Sequence, residues 1–362
     1  MVAKLALIAA GGTGGHLFPA ESLALTLKAR GWRVHLATDH RVETYGHDFP
    51  AEEIHFIQSA TITRSPIAAA KAVASLAWGA LQSRLLVARI KPNVAIGFGG
   101  YPTVPPILAA ASAKVPTIVH EQNAVLGRAN RFLAKRVTRL ATSFAKVGGA
   151  EALTGKVVQT GNPVRPAVRA AAETPYPQRT TSDPFRLLVF GGSQGARFFS
   201  DTMPATVALV GKDMQQRLKL TQQCRPEDIA RVRQAYELMG VSAELQPFFS
   251  DMPSRIAGSH LVVSRSGAST CAELAVIGRP AIMVPLPHAL DQDQRANATV
   301  LAEAGGGWLI DQAALTPARL AGEIVRVMKE PERLAIAAAA AKAQGRPDAV
   351  DRLADLVEQV AV

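Results

Sequence analysis

The sequence predicts an α/β protein made of two doubly wound parallel-sheet domains that face a shared cleft. Three observations carry this. Apolar runs of strand length alternate with helix-like patterns along the chain, the signature of parallel strands covered on both faces. A strand, a glycine turn and a helix start occur in Leu5–Ala9 followed by Gly11-Gly12-Thr13-Gly14-Gly15-His16, and again in Phe185–Phe190 followed by Gly191-Gly192-Ser193-Gln194-Gly195-Ala196. Between them, Ala167–Pro184 is rich in Ala, Thr, Ser, Pro and charge, and reads as a linker leading into a second domain.

The strand-like runs of the first half are Leu5–Ala9, Val34–Ala37, Val94–Ile96, Thr117–His120, Arg139–Ala141 and Val157–Gln159. Helical patterns such as Ala20–Ala29 and Asn130–Lys135 separate most of them. Ile67–Lys91 is a long helical stretch containing Trp78, Leu81, Leu85 and Leu86, flanked by Lys71, Arg84, Arg89 and Lys91. It is either a helix packed on the sheet with solvated charges, or an apolar face rimmed by cations that rests on an acidic membrane. The domain switch falls at Gly161–Pro166. The second half repeats the scheme with Leu187–Phe190, Leu218–Thr221, Ala243–Gln246, Leu261–Ser264, Ala281–Val284 and Trp308–Ile310. Ligands of such sheets bind beyond the carboxyl ends of the strands, so the informative residues should follow the strands.

At 362 residues the chain has room for two cores. A net charge of +11 favours an anionic partner: nucleic acid, an acidic membrane surface or a phosphorylated substrate. Aromatic residues are only 5% and do not interleave with the basic ones, which makes nucleic acid the weakest of the three. Cys224 and Cys271 give no disulfide framework and no metal spacing. No apolar stretch approaches the ~20 residues of a membrane span, and the run before Gly11 is too short for a signal peptide.

The glycine loops match neither the dinucleotide fingerprint, whose third glycine would fall at Leu17, nor a Walker A loop, since no Lys-Ser or Lys-Thr closes them. Each is a phosphate cradle or a bare tight turn. Val94–Ile96 leads into Gly97-Phe98-Gly99-Gly100-Tyr101, where Tyr101 can meet a sugar or lipid head, or simply close a turn. Thr117–Val119 leads into His120-Glu121-Gln122-Asn123. Four polar groups after an apolar strand face a cleft or form a local cap. Arg165, after Gly161-Asn162-Pro163-Val164, meets a phosphate or an interdomain carboxylate. Ser264–Thr270 opens a helix with small residues, and Glu273 lies one turn in. That carboxylate can accept both hydroxyls of a ribose or only favour the helix dipole. Asp291-Gln292-Asp293 reads as a diphosphate–metal motif. Too few oxygen ligands accompany it, so no metal is expected, and hydrogen bonds to sugar hydroxyls fit better.

Taken together and in this order, Gly11–His16, His120–Asn123, Gly161–Arg165, Gly191–Ala196, Arg265–Glu273 and Asp291–Asn297 resemble the MurG family. These are the peptidoglycan N-acetylglucosaminyltransferases of glycosyltransferase family 28, with the GT-B fold. The resemblance runs from about Leu5 to Val357, and Arg346-Pro347-Asp348-Ala349 with Arg352-Leu353-Ala354 looks like the family's closing helix. It implies two Rossmann-like domains, at 1–163 and 164–340, and a C-terminal helix, 341–362, packing back on the first.

The resemblance further implies an inverting transfer of N-acetylglucosamine from UDP-N-acetylglucosamine to the C4 hydroxyl of undecaprenyl-diphosphate-N-acetylmuramoyl-pentapeptide, converting lipid I to lipid II, with no cofactor and no metal. Its setting is the cytoplasmic face of the inner membrane, bound peripherally to an anionic surface, with cell-wall machinery proteins as further partners. Carried over by position, Thr13, Gly14 and Gly15 lie near the reacting sugar and the acceptor diphosphate, where His16 and Tyr101 join them. Asn123 contacts the donor sugar, and Arg165 and Ser193 the donor diphosphate. Phe249, where the family more often has Ile, flanks uracil. Ala268, Ser269 and Thr270 hold the uridine and phosphate, Glu273 the ribose, and Gln294 the sugar. Asp293 stands where some members have Gln or His. His16 and Glu121 are the candidates for the base that deprotonates the acceptor hydroxyl, with His16 preferred because histidine as a residue type has the pKa for the task and because it lies on the acceptor-side loop. The remaining readings are another GT-B enzyme of UDP-sugars, such as a 2-epimerase, and a non-catalytic UDP-sugar-binding protein.

Overall fold

The computed structural model of the chain describes residues 3–11, 14–40, 49–59, 66–192, 196–287 and 289–361. Thr13 and Ser193 lie outside this set, as does the side chain of Lys71. The chain divides into two compact units, Met1–Arg165 with Arg346–Val362, and Pro166–Gly345.

The first unit is built from β1 (Leu5–Ala9), α1 (Gly14–Ala29), β2 (Arg33–Thr38), β3 (Glu53–Phe56), α2 (Pro66–Ile90), β4 (Val94–Gly97), α3 (Val104–Ser112), β5 (Thr117–Glu121), α4 (Arg128–Ala134), β6 (Arg139–Thr142) and β7 (Val157–Gln159). The strands form one parallel sheet in the order β3-β2-β1-β4-β5-β6-β7. The order reverses at β1, which places the topological switch beside the first glycine turn. Alternate residues of β1 enter different cores. Ala6 and Ile8 pack with Leu17, Leu23 and Leu27 of α1. Leu7 and Ala9 pack with Val87 of α2, Ile107 of α3 and Leu133 of α4. Both faces are therefore covered, which explains why the strand reads as an unbroken apolar run.

The second unit contains α5 (Pro166–Ala171), β8 (Phe185–Phe190), α6 (Ala196–Ala208), α7 (Lys212–Arg217), β9 (Leu218–Gln223), α8 (Pro226–Met239), β10 (Ser242–Gln246), α9 (Met252–Gly258), β11 (Leu261–Ser264), α10 (Ala268–Ile277), β12 (Ala281–Met283), α11 (Asp293–Glu303), β13 (Gly307–Leu309), α12 (Pro317–Lys329) and α13 (Pro331–Ala343). Its parallel sheet runs β10-β9-β8-β11-β12-β13. Here the order reverses at β8, directly before the second glycine turn.

The last helix, α14 (Ala349–Val360), belongs to the first unit. Ala349, Val350, Leu353, Ala354, Leu356 and Val357 are buried. Their spacing of three and four makes one apolar face. Leu353, Leu356 and Val357 join the core that α1 and β1 share. On the outer side Arg30 pairs with Asp355 at 2.7 Å and with Glu358 at 3.0 Å. Apolar burial holds this helix more than charge does. Leu353→Ala is expected to lower the stability of the first unit by about 2–5 kcal/mol. Arg30→Ala, whose partners are half exposed, should cost less than about 1 kcal/mol. Urea unfolding of the two variants followed by hydrogen exchange checks the ranking, and equal losses would contradict it.

Candidate active site

The residues singled out after the strands of the first unit gather at the carboxyl ends of β1, β4 and β5. Gly99 and Gly100 have φ of +92° and +78°, values that favour glycine. A Cβ at Gly99 would lie 3.2 Å from His16 Cε1, so this turn packs directly on the imidazole. Thr103 donates to the Gly99 carbonyl at 2.6 Å and fixes the turn from behind. Gly14, His16 and Tyr101 are half-buried, while Gly15 is exposed. His16 Nδ1 lies 3.3 Å from Gln122 Oε1.

Glu121 is buried at the end of β5. Its Oε1 accepts from the Asn123 N–H at 3.0 Å and from Asn123 Nδ2 at 3.2 Å. Its Oε2 accepts from the Gly127 N–H at 3.0 Å and from Asn130 Nδ2 at 2.8 Å. Burial raises the carboxyl pKa on balance, and these four donors pull against it. All four are donors, so they suit the ionised form. Such a carboxylate holds a loop in shape, and Asn123 is one of the residues it holds.

His120 is fully buried and bonds the Gly161 carbonyl through Nε2 at 2.9 Å. Asn162 is buried, and neither atom of its amide finds a hydrogen-bond partner among the described residues. The Arg165 guanidinium lies 5.2 Å from the Phe18 ring centroid, which sets it beside the start of α1.

In the second unit the first turn of α10 follows Gly267, with no side-chain cap. Ala268, Ser269 and Thr270 are half-buried there and Glu273 is buried. Ser264 Oγ and Ser269 Oγ are buried and have no hydrogen-bond partner among the described residues. An uncapped turn with open N–H donors suits an anion or a polar ligand. The Arg265 guanidinium braces the loop from inside. It donates to the Val284 and Pro285 carbonyls at 3.1 and 3.2 Å and to Gln312 at 2.7 Å. Burial lowers its pKa to about 10, so it remains a cation at neutral pH.

Gln294 Oε1 accepts from the Leu286 N–H at 3.0 Å, and Ser266 Oγ donates to the Gln294 carbonyl at 2.8 Å. The α10 and α11 starts are thus joined. Asp291 and Gln292 hold φ of +58° and +53°, a left-handed pair of non-glycine residues of the kind that collects at functional sites. Asp293 Oδ1 accepts from the Gln294 N–H at 2.7 Å.

Phe249 is only 4% exposed and lies 4.2 Å from the Arg255 guanidinium, whereas Phe248 is 73% exposed. The ring expected beside uracil is therefore covered, and its neighbour is the ring in solvent. Among the described residues one trio has ligand-like spacing, His35, Glu53 and His55 on the β2–β3 edge. Its imidazoles already bond each other at 3.0 Å, and Arg89 lies 3.8 Å from Glu53. Sequence reading gave no role to Gln122, Asn130 or Asn162. Gln122 stood inside the quoted polar run, and burial is what its letter cannot convey.

His120 yields a pH prediction. Burial pushes its pKa down to about 4 from an ordinary 6.5, against a weaker pull from the Gly161 carbonyl. The unfolded chain then binds more protons than the folded one between those values, so stability falls as pH drops through this window. Above about pH 7 the term vanishes; at the bottom of the window it reaches about 3 kcal/mol. His260 in the second unit is also lowered to about 4, so the difference between wild type and His120→Gln is the measurement. A urea-midpoint slope that His120→Gln leaves unchanged would refute the assignment.

The glycosyltransferase family 28 N-terminal domain matches residues 6–142, and the family's C-terminal domain matches 186–353. The chain is 56% identical to the UDP-N-acetylglucosamine–N-acetylmuramyl-(pentapeptide) pyrophosphoryl-undecaprenol N-acetylglucosamine transferase of Mesorhizobium japonicum, over all of this chain (100%) and 96% of that protein. It is 54% identical to the protein of the same name from Agrobacterium fabrum, over 99% and 94% of the two chains. The crystal structure of Acinetobacter baumannii MurG superposes with a TM-score of 0.78 at 26% identity, covering 98% of this chain and 99% of that one. UDP-GlcNAc 2-epimerase from Neisseria meningitidis, bound to UDP-GlcNAc, gives 0.66 at 14% identity, covering 98% and 100%, and shares the fold alone.

Proposed function

The chain belongs to glycosyltransferase family 28, and on that premise we propose that it transfers N-acetylglucosamine from UDP-N-acetylglucosamine to the C4 hydroxyl of lipid I, giving lipid II for peptidoglycan. The observation that carries this is 56% identity along the full chain to a transferase of that name. The epimerase likeness is of fold at 14% identity and does not compete.

The reaction is a displacement at the anomeric carbon. The acceptor oxygen bonds to that carbon and loses its proton to a base. The bond to the β-phosphate oxygen breaks, and its electron pair leaves on UDP. His16 is the base in this reading, half-buried on the first glycine turn. Glu121 is its support, because both its oxygens are occupied by donors. Thr13, Gly14, Gly15 and Tyr101 line the acceptor side, and Asn123 meets the donor sugar. Arg165 and Ser193 take the departing diphosphate, stabilised by guanidinium charge and loop N–H groups. Ala268, Ser269, Thr270 and Glu273 hold the uridine and its ribose, and Gln294 a sugar hydroxyl. Phe249 enters through its backbone, since its ring is covered. A purified chain given UDP-N-acetylglucosamine and a lipid I analogue should form the disaccharide. Donor hydrolysis alone, or binding without turnover, would sink the proposal. His16→Ala should lower kcat by about 10²–10⁴ with little change in the donor KM or in melting temperature. Glu121→Gln should lower the melting temperature first.

The acceptor's lipid requires a membrane surface, and α2 offers one. Trp78, Leu81 and Leu85 are 52%, 46% and 63% exposed on one face, with Arg84, Arg89 and Lys91 around them. Among the described residues no helix is long and apolar enough to cross a membrane. The reading is therefore peripheral attachment to the cytoplasmic leaflet of the inner membrane. In flotation with phosphatidylglycerol vesicles, Trp78→Ala with Leu85→Ala should weaken binding by about tenfold or more. Undiminished flotation would place the contact elsewhere.

A further inference from the structure

The buried amide of Gln122 sits between two histidines, and its hydrogen bonds fix the proton positions of both. Gln122 Nε2 donates one N–H to the Phe98 carbonyl at 2.9 Å and shares the other between His120 Nδ1 at 3.1 Å and the His120 carbonyl at 3.2 Å. Backbone carbonyls only accept. A flipped amide would set its oxygen against two carbonyl oxygens, so the orientation follows from chemistry. Gln122 Oε1 then faces His16 Nδ1 at 3.3 Å. An amide oxygen also only accepts, so Nδ1 of His16 carries the proton and Nε2 carries the lone pair.

The far end agrees independently. The Gly161 carbonyl, 2.9 Å from His120 Nε2, only accepts, so Nε2 carries the proton of the neutral ring, and Nδ1 is left to accept from the Gln122 amide. Each link leaves one proton arrangement for the whole line from Gly161 to His16. Gln122 is 1% exposed and His120 0%, so bulk water does not offer substitute partners. The Gly99 turn against the His16 ring, 3.4 Å from a would-be Cβ to Nδ1, limits its rotation.

We propose that Gln122 is a positioning residue for glycosyl transfer: it holds His16 in the Nδ1–H tautomer and so presents Nε2 as the atom that receives the acceptor's hydroxyl proton. This rests on the reading of His16 as the base. Imidazole free in water favours the other tautomer, with its proton on Nε2. Without Gln122 the ring would place a hydrogen where the lone pair is needed.

The test reads the tautomer and the turnover separately. Full-length chain labelled with ¹⁵N-histidine, at a pH where His16 is neutral, is examined by long-range ¹H–¹⁵N correlation, with His16→Gln and His120→Gln spectra for assignment. Wild type should show His16 protonated on Nδ1 and His120 on Nε2. In Gln122→Met, His16 should move to the Nε2–H form. Its kcat should fall by about 10- to 100-fold, with the KM for UDP-N-acetylglucosamine unchanged and the acid limb of the kcat–pH profile displaced. His16 protonated on Nε2 in wild type would overturn the proposal, and this needs no variant to fold. So would a His16 that keeps Nδ1–H in Gln122→Met. A changed tautomer with normal kcat would also overturn it, but through the base reading, leaving the hydrogen-bond assignment in place.

Discussion

A carboxylate taken out of water must be met by donors, and the arrangement around Glu121 follows from that demand. An unmet buried charge costs several kcal/mol. Four N–H groups from Asn123, Gly127 and Asn130 meet this one. To supply them the chain after β5 must fold back over the strand end into α4. That path fixes Asn123 at the rim and sends the Gln122 side chain inward to Phe98 and His120. His16, in the first turn of α1, then meets the Gln122 amide oxygen. The carboxyl ends of the strands in the first unit are thus organised around a buried carboxyl group.

The second unit meets the same problem with buried cations. Arg279 is 1% exposed and donates to the carbonyls of Ala257, Ile277, Gly278, Thr174 and Pro175. These include the ends of α9 and α10, whose last carbonyls have no helical partner. The segment arriving at β8 is held by the same residue. Arg265 does for the loop after β11 what Arg279 does for the helix ends. Burial lowers each to about 10, which leaves both charged at neutral pH. Neither needs a carboxylate, because carbonyl dipoles in number can replace one.

What was legible in the sequence was whatever repeats or alternates. Twelve apolar runs mark strands, each within a residue or two of its observed ends. The glycine turns fall where the sheet orders reverse, because close backbone approach and positive φ both select glycine. The edge strand β3, Glu-Ile-His-Phe, was not legible. It lies at the sheet margin with two exposed ends, so it shows no continuous apolar run. Ala167–Pro184 read as a linker and domain entry, and its helix α5, Pro166–Ala171, was not legible, with only Val168 and Ala171 buried to mark it. At the site, residue types announced themselves and pairings did not. His120, Glu121 and Gln122 look alike as candidates in a string. Only burial and hydrogen-bond partners tell them apart, as they do the covered Phe249 and the exposed Phe248.

Gly161 has one more consequence. Its φ is +90°, and a Cβ there would lie 2.7 Å from Arg346 Cβ and 2.9 Å from Ala349 Cβ. Residues more than 180 positions apart therefore close on each other at the point where the chain leaves the first unit and returns to it. In order of synthesis, Pro166–Gly345 is an insertion within a fold that has not finished. Until Ala349–Val360 emerges from the ribosome, Leu23 and Leu27 of α1 lack the apolar neighbours that complete their core. The second unit can assemble while the first still waits. The unit that carries His16 is the last to be completed, so a chain cut short before residue 349 would lose it even though every residue of its sheet had been made.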